Sequence, residues 1–249
     1  MCLYRKGGPK RKSKRQFINM ATTYNFTESL SRIDDVLMAK IPEKATGGIP
    51  EVEDINPSAV YLPQATVVHV NFEIEQDMWQ PVDEKYGLPV IQSFISEAMN
   101  IGGACECCKD IMIAENYLRF VYDTPLKKDL NEALDDAARI KTLALVVSKK
   151  AKQKRYPLIK ASVGMDYGAV TLLPVNLHDY RLSRFVWMGE AIKKAEELAG
   201  KADDDIVISP IVWKNLTENN RKLFEAEYLL ATFYRGKIVN IAMNNWVTK

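Results

Sequence analysis

The sequence predicts an α+β protein, an antiparallel-rich sheet with helices packed on one face. Apolar residues recur at helical spacing in several long segments, β-branched runs lie between those segments, and neighbouring runs read as antiparallel pairs. At 249 residues the chain is long enough for one large or two small domains with a substantial core.

The elements follow in order. "MCLYRKGGPKRKSKR", the first fifteen residues, holds seven basic and no acidic side chains and lacks the apolar core of a secretion signal. It reads as a solubilising tail over 1–20 or as sequence upstream of a start at Met20, with contact to an acidic surface or nucleic acid as the alternative. "NFTESLSRIDDVLMAK" puts Leu30, Ile33, Val36 and Leu37 on one helix face, with Thr27 as N-cap. "IPEKATGGIPEVEDINPSA" has glycine and proline without periodicity and reads as a connecting loop, so 21–60 is a helix and a loop. "ATVVHVNFEI", 65–74, is a buried strand. A helix over 88–101 ends at Gly102-Gly103.

Two strands follow, about 107–113 and 117–122, then a long helix from Lys127 to Lys152. Leu130, Leu134, Ala137, Ile140, Leu143 and Val147 form its stripe, and it closes in the basic "KKAKQKR". "LIKASVGMDYGAVTLLPVN" reads as two strands meeting in a hairpin-like turn at Asp166-Tyr167-Gly168. In "FVWMGEAIKKAEEL" an apolar run stops at Gly189 and a helix begins, with Ile192, Ala195 and Leu198 on one face. "DIVISP" is a short strand, a helix covers Ile211 to Leu216, and the end resembles a hairpin turning at Arg235-Gly236. These readings give a main domain over 61–222 and a C-terminal β extension over 223–249.

Composition excludes several classes. Apolar content of 47% and charged content of 27% belong to a globular chain, and no stretch approaches the roughly 20 apolar residues of a membrane span. Without the basic start the net charge falls from +2 to about −5, so nucleic acid is not an expected partner of the domain. Cys105, Cys107 and Cys108 crowd into "ACECC", which fits free thiols in a reducing, cytoplasmic compartment. A zinc site would want further ligands, and only the isolated His69 and His178 offer themselves.

The order of strand, helix, strand-turn-strand, helix, "VGMDYG", "VWMGEAIKKAEEL" and "IVISPIVWKNL" resembles the class III nucleotidyl cyclases, whose motifs run "FxDI", "GD", "xGxxxG" and "WGxxVNxAxRL". "SRIDDVL", "FISEAM", "DTPLKKDLNEAL", "AARIKTL" and "VWMG" look closer to the pyrimidine cyclases of the bacterial antiphage system called Pycsar. The likeness runs from about 22 to 220. It implies a ferredoxin-like βαββαβ core with extensions and a head-to-tail homodimer, or a heterodimer with a related cyclase. It also implies a phosphorus–oxygen lyase reaction, in which a nucleoside triphosphate becomes a 3′,5′-cyclic nucleotide and pyrophosphate on two Mg²⁺ or Mn²⁺ ions.

By that resemblance the metal aspartates fall on Glu73 and Glu115, each one methylene longer than aspartate. The plain alternative is that both are polar residues at strand ends. Phe72, Ile74, Ala114, Trp187 and Gly189 become nucleotide-binding positions. "EIEQDMW" lacks the glycine that lets backbone approach phosphates and carries three acidic residues instead. The transition-state Asn falls on Lys193 and the Arg on Glu197, a charge reversal where negative charge should develop. Lys193 and Glu197 are expected to pair across one turn. The expectation is a degenerate site that binds a nucleoside triphosphate or cyclic nucleotide; the alternative is an active, divergent pyrimidine cyclase. Without the resemblance this helix would read as a solvated face.

Overall fold

A computed structural model describes residues 25–56, 58–75, 84–176, 183–227 and 232–249. The basic start, His178 and residues 76–79 of "EIEQDMW" lie outside them. The chain divides into two units at Lys40, and each is described by itself.

In the first unit, α1 spans Phe26–Met38. Its N-cap is Asn25, not Thr27: the Asn25 side-chain oxygen accepts from the N–H groups of Thr27 at 3.1 Å and Glu28 at 3.3 Å.

The second unit opens with β1 (Glu43–Ala45), a 3₁₀ turn (Val52–Asp54) and β2 (Val60–Leu62), where a loop was expected. These strands form by pairing with each other and with a distant strand, which no local pattern announces. Then come β3 (Gln64–Glu75), α2 (Glu84–Gly103), β4 (Cys108–Ile113), β5 (Tyr117–Tyr122) and α3 (Lys127–Gln153). At the start of α3 the Asp129 carboxylate accepts from Leu126 N–H at 2.9 Å, and a buried stripe from Leu130 through Leu134, Ala137, Ile140 and Ala144 to Ala151 lies on the sheet.

β6 (Leu158–Ala169) and β7 (Thr171–Asn176) are not the expected hairpin. β6 runs straight through Asp166-Tyr167-Gly168 in unbroken register with β3, while β7 pairs with β2 and β8 (Ser183–Met188) in a separate sheet. The remaining elements are α4 (Glu190–Lys201), β9 (Ile206–Ile208), α5 (Pro210–Asn215), α6 (Glu218–Arg221), β10 (Glu225–Glu227), β11 (Phe233–Gly236) and α7 (Ile241–Thr248). Arg235 and Gly236 lie inside β11, opposite Glu225 and Ile206, and not in a turn. The end is a helix and not a β extension alone.

The large sheet orders β10-β11-β9-β6-β3-β5-β4, antiparallel except for the β6–β9 pair; the small one orders β1-β2-β7-β8. Period-two alternation divides β3 between two cores. Val68, Val70 and Phe72 bury with α2 and α3, while Ala65 and Val67 bury with Ala191, Ile192 and Ala195 of α4. Helices therefore cover both faces of the sheet, not one. α4 can lie close because β6 presents Gly164 beneath it: a Cβ there would stand 2.1 Å from the Ala195 carbonyl oxygen.

Candidate active site

The end of β3 and the β4–β5 hairpin place Glu73 and Glu115 at the same end of neighbouring strands, a carboxylate edge where the strands stop. Asn71 and Tyr117 are partners in register, and beyond them Phe72 N–H donates to the Asn116 carbonyl at 3.0 Å, so Glu73 and Glu115 follow on adjacent chains. Both carboxylates are exposed. Ala114 closes the hairpin by donating its N–H to the Tyr117 carbonyl at 3.0 Å. Across β6, Lys160 stands opposite Glu73 but pairs with Glu75 at 2.7 Å. The edge thus carries two exposed carboxylates.

The other proposed nucleotide contacts are scaffold. The Phe72 ring is buried against Phe94, centroids 5.4 Å apart, and Ile74 packs toward the same α2–α3 core, so neither side chain faces the α4 side. Their parity on β3 decides this, since residues 72 and 74 are one step out of phase with Glu73. Trp187 is buried and donates its indole N–H to the Asp110 carboxylate at 2.6 Å, tying β8 to β4. Gly189 has φ +124° and turns the chain into α4, where a Cβ would meet the Ala169 carbonyl oxygen at 2.8 Å.

Between carboxylate edge and α4 lies a polar network that the sequence reading did not find. His69 of β3 is fully buried, and Arg119 of β5, opposite it in register, is nearly so. Arg119 Nε donates to His69 Nδ1 at 3.2 Å, which leaves the imidazole proton on Nε2, where it is given to Asn71 Oδ1 at 3.0 Å. Arg119 also bonds Glu196 of α4 at 2.8 Å and lies over the Tyr117 ring, which stacks on His69. Burial, with the Arg119 charge second, lowers the His69 pKa from 6.5 to about 4, so the ring is neutral. The available signal was parity: His69, Asn71 and Glu73 alternate with apolar residues and share the α4 face.

On α4, Lys193 and Glu197 do not pair with each other. Lys193 Nζ bonds Glu190 at 3.0 Å, and Glu197 takes Lys194 at 3.0 Å and Lys201 on the next turn. Hydrogen bonds from Lys201 and Lys194 hold the Glu197 carboxyl below its usual range. The i, i+3 and i, i+4 alternatives were all open on this helix, and the nearer partners win. The helix therefore neutralises its own charges on the exposed face.

Comparison with known proteins agrees with this fold. No protein-family model matches the chain. A uridylate cyclase from Treponema porcinum is 22% identical over 94% of this chain and 84% of its own length. Another from Gulbenkiania mobilis is 21% identical over 90% and 96%. The chain has the class III cyclase fold and is similar in sequence to uridylate cyclases. Among solved structures, a class III adenylyl cyclase-like ATP-binding protein from Pseudomonas aeruginosa superposes with TM-score 0.63 at 10% identity. That match covers 89% of this chain and 49% of the other. The adenylyl cyclase CyaB from P. aeruginosa gives TM-score 0.59 at 10% identity over 73% and 97%. In this cyclase-fold chain no helix among the described residues is long and apolar enough to cross a membrane.

Proposed function

We propose that this chain is a Pycsar-type antiphage cyclase-fold protein with a degenerate site, binding a nucleoside triphosphate or cyclic nucleotide with low or no turnover. One observation carries the reading: Glu197 stands, ionised and paired to two lysines, where the resemblance calls for an arginine. A carboxylate there opposes the negative charge that develops at an α-phosphate, and loss of one stabilising donor alone costs about 100-fold or more in rate. Lys193 must leave Glu190 before its ammonium can meet a phosphate.

The carboxylate edge supports retained binding. Glu73 and Glu115 are the residues that would hold Mg²⁺ or Mn²⁺, which supplies neutralisation of the triphosphate when bound. The network from His69 through Arg119 to Glu196 ties α4 to β3 and β5. The site is completed by a second chain, either another copy or a related cyclase, and the chain is a cytoplasmic protein.

A second reading is favoured by a carboxylate at both metal positions and by relatives named uridylate cyclase. In it the chain converts UTP or CTP to 3′,5′-cyclic UMP or CMP and pyrophosphate, with Lys193 on the phosphate. The deciding experiment incubates purified protein with each ribonucleoside triphosphate and Mn²⁺, measuring melting temperature and, by mass spectrometry, cyclic products. A Mn²⁺-dependent rise in melting temperature without product supports the binding reading. A cyclic pyrimidine that disappears in Glu73→Ala and Glu115→Ala establishes the second. No shift with any triphosphate or with a 3′,5′-cyclic nucleotide, and no product, rejects both.

A further inference from the structure

A second group of metal-ligating side chains lies at the far end of the same hairpin. Cys105 and Cys107 flank one residue in the turn that enters β4, closed by Cys108 N–H donating to the Cys105 carbonyl at 3.0 Å. The turn puts both sulfurs on one side, and they are joined as a disulfide with Cα atoms 5.3 Å apart, where free thiols were expected. The Cys107 carbonyl accepts from Asp123 N–H at 2.8 Å, which anchors the turn to the end of β5. Above it passes α3, and Glu132 brings its carboxylate within 4.8 Å of both sulfurs. Glu132 is exposed and makes no ion pair or hydrogen bond among the described residues, although Lys128 stands one turn before it on α3.

Cys108 is not part of this group. Its thiol turns to the Asp110 carbonyl, and burial, reinforced by Asp136 and Asp110, raises its pKa to about 12. The local field otherwise favours a cation: Glu106 and Glu132 flank the sulfurs, and the nearby Lys109 is tied to Glu51 at 2.7 Å.

We propose that Cys105, Cys107 and Glu132 form a zinc site in the reduced chain, with water or an external ligand in the fourth position. Zinc–sulfur bonds of about 2.3 Å and a zinc–oxygen bond of about 2.1 Å require ligand atoms roughly 3.5–3.8 Å apart, within rotamer reach of the present cluster. Thiolates select Zn²⁺ over Mg²⁺ and Mn²⁺, which separates this site chemically from the Glu73–Glu115 edge. The whole of β4, six residues or about 20 Å at strand rise, runs between Cys107 and the turn that carries Glu115. The disulfide is the oxidised form of the same two sulfurs. A phosphine reductant supplies two electrons, breaks the S–S bond and, with one water, yields two thiols and the phosphine oxide. Zinc binding then releases both thiol protons. Sequence alone hides the site because its oxygen ligand comes from a helix 25 residues beyond Cys107.

The test uses the full chain, reduced with phosphine in the absence of air, exposed to Zn²⁺ alone and desalted. Metal is quantified by atomic emission, and thiol protection by maleimide labelling with peptide mapping. The expected result is about one Zn²⁺ per chain, with Cys105 and Cys107 shielded from maleimide until a chelator is added. C105S and C107S should lose the metal, C108S should keep it, and E132Q should weaken binding by at least about tenfold. No retained zinc, unshielded thiols in the wild-type chain, or equal affinity in E132Q would overturn the site. The maleimide readout needs no variant to fold and no nucleotide chemistry, so it stands or fails apart from the proposed function.

Discussion

Gly164→Ala puts one methyl group between the central strand and the helix that carries Lys193 and Glu197. The ideal Cβ at this position would sit 2.1 Å from the Ala195 carbonyl oxygen and 2.2 Å from the Ala199 nitrogen, whereas ordinary contact begins at 3.4 Å. Both atoms are helix backbone, so no side chain can swing aside. α4 must retreat by about 1.3 Å, the difference between the first and last of those distances. The retreat loosens a seam of Ala191, Ile192, Ala195, Leu198 and Ala199, all buried. Overpacking of this kind costs about 1–3 kcal/mol, occasionally more, and a rigid backbone contact belongs at the upper end. For a chain of this size about 3 kcal/mol corresponds to a fall in Tm of roughly 6–12 °C. Gly168→Ala is the internal control, because its Cβ would stand 3.6 Å from the Ala191 methyl. It should change stability by less than about 1 kcal/mol, with reduced unfolded-chain entropy acting in its favour. Thermal unfolding followed by circular dichroism measures both. Equal Tm values for the two variants would refute the argument that Gly164 is required for close approach of α4.

Three further outcomes are expected. His69, with its pKa lowered to about 4, contributes stability that is full above pH 6.5 and is lost as pH falls toward 4. Asp136, raised by burial to about 6, contributes in the opposite sense, full below pH 3.8 and lost as pH rises through 6. The two slopes cancel between about pH 4 and 6, so denaturant titrations should show His69→Gln losing, and Asp136→Asn gaining, about 3 kcal/mol as pH rises through these windows. Two variants with the same profile as the parent would contradict the burial argument. Arg119→Met removes the second cause of the His69 shift and should move its pKa part of the way back toward 6.5, read by NMR titration of the ring. Gly189→Ala forces φ +124° on an alanine against the Ala169 carbonyl oxygen and should lower stability by about 1–3 kcal/mol, measured by urea unfolding.

Hydrophobic period alone located β3, the β4–β5 hairpin, α3 and the Gly189 turn into α4. In β3, β5, α3 and α4 apolar residues are buried along the element, and burial writes its period into the chain. Three features could not be read that way. The strands β1 and β2 are three residues each and exist through pairing with remote chain. Gly168 looked like a turn glycine, yet β6 runs straight through it, and the close helix contact that requires a glycine falls on Gly164. The partners of Lys193 and Glu197 depended on which of several equivalent helix spacings each rotamer took.

The sequence by itself therefore determined the class of fold, the order of its elements and the residue types at the carboxylate edge and on α4, because local periodicity and motif order are properties of the chain. Only the tertiary structure decided that helices cover both faces of the sheet, that Phe72 and Ile74 face away from the site, and that His69 and Arg119 join beneath Glu196. It also brought Glu132 beside Cys105 and Cys107. These are meetings of segments far apart in the chain, and strand register and helix placement set them.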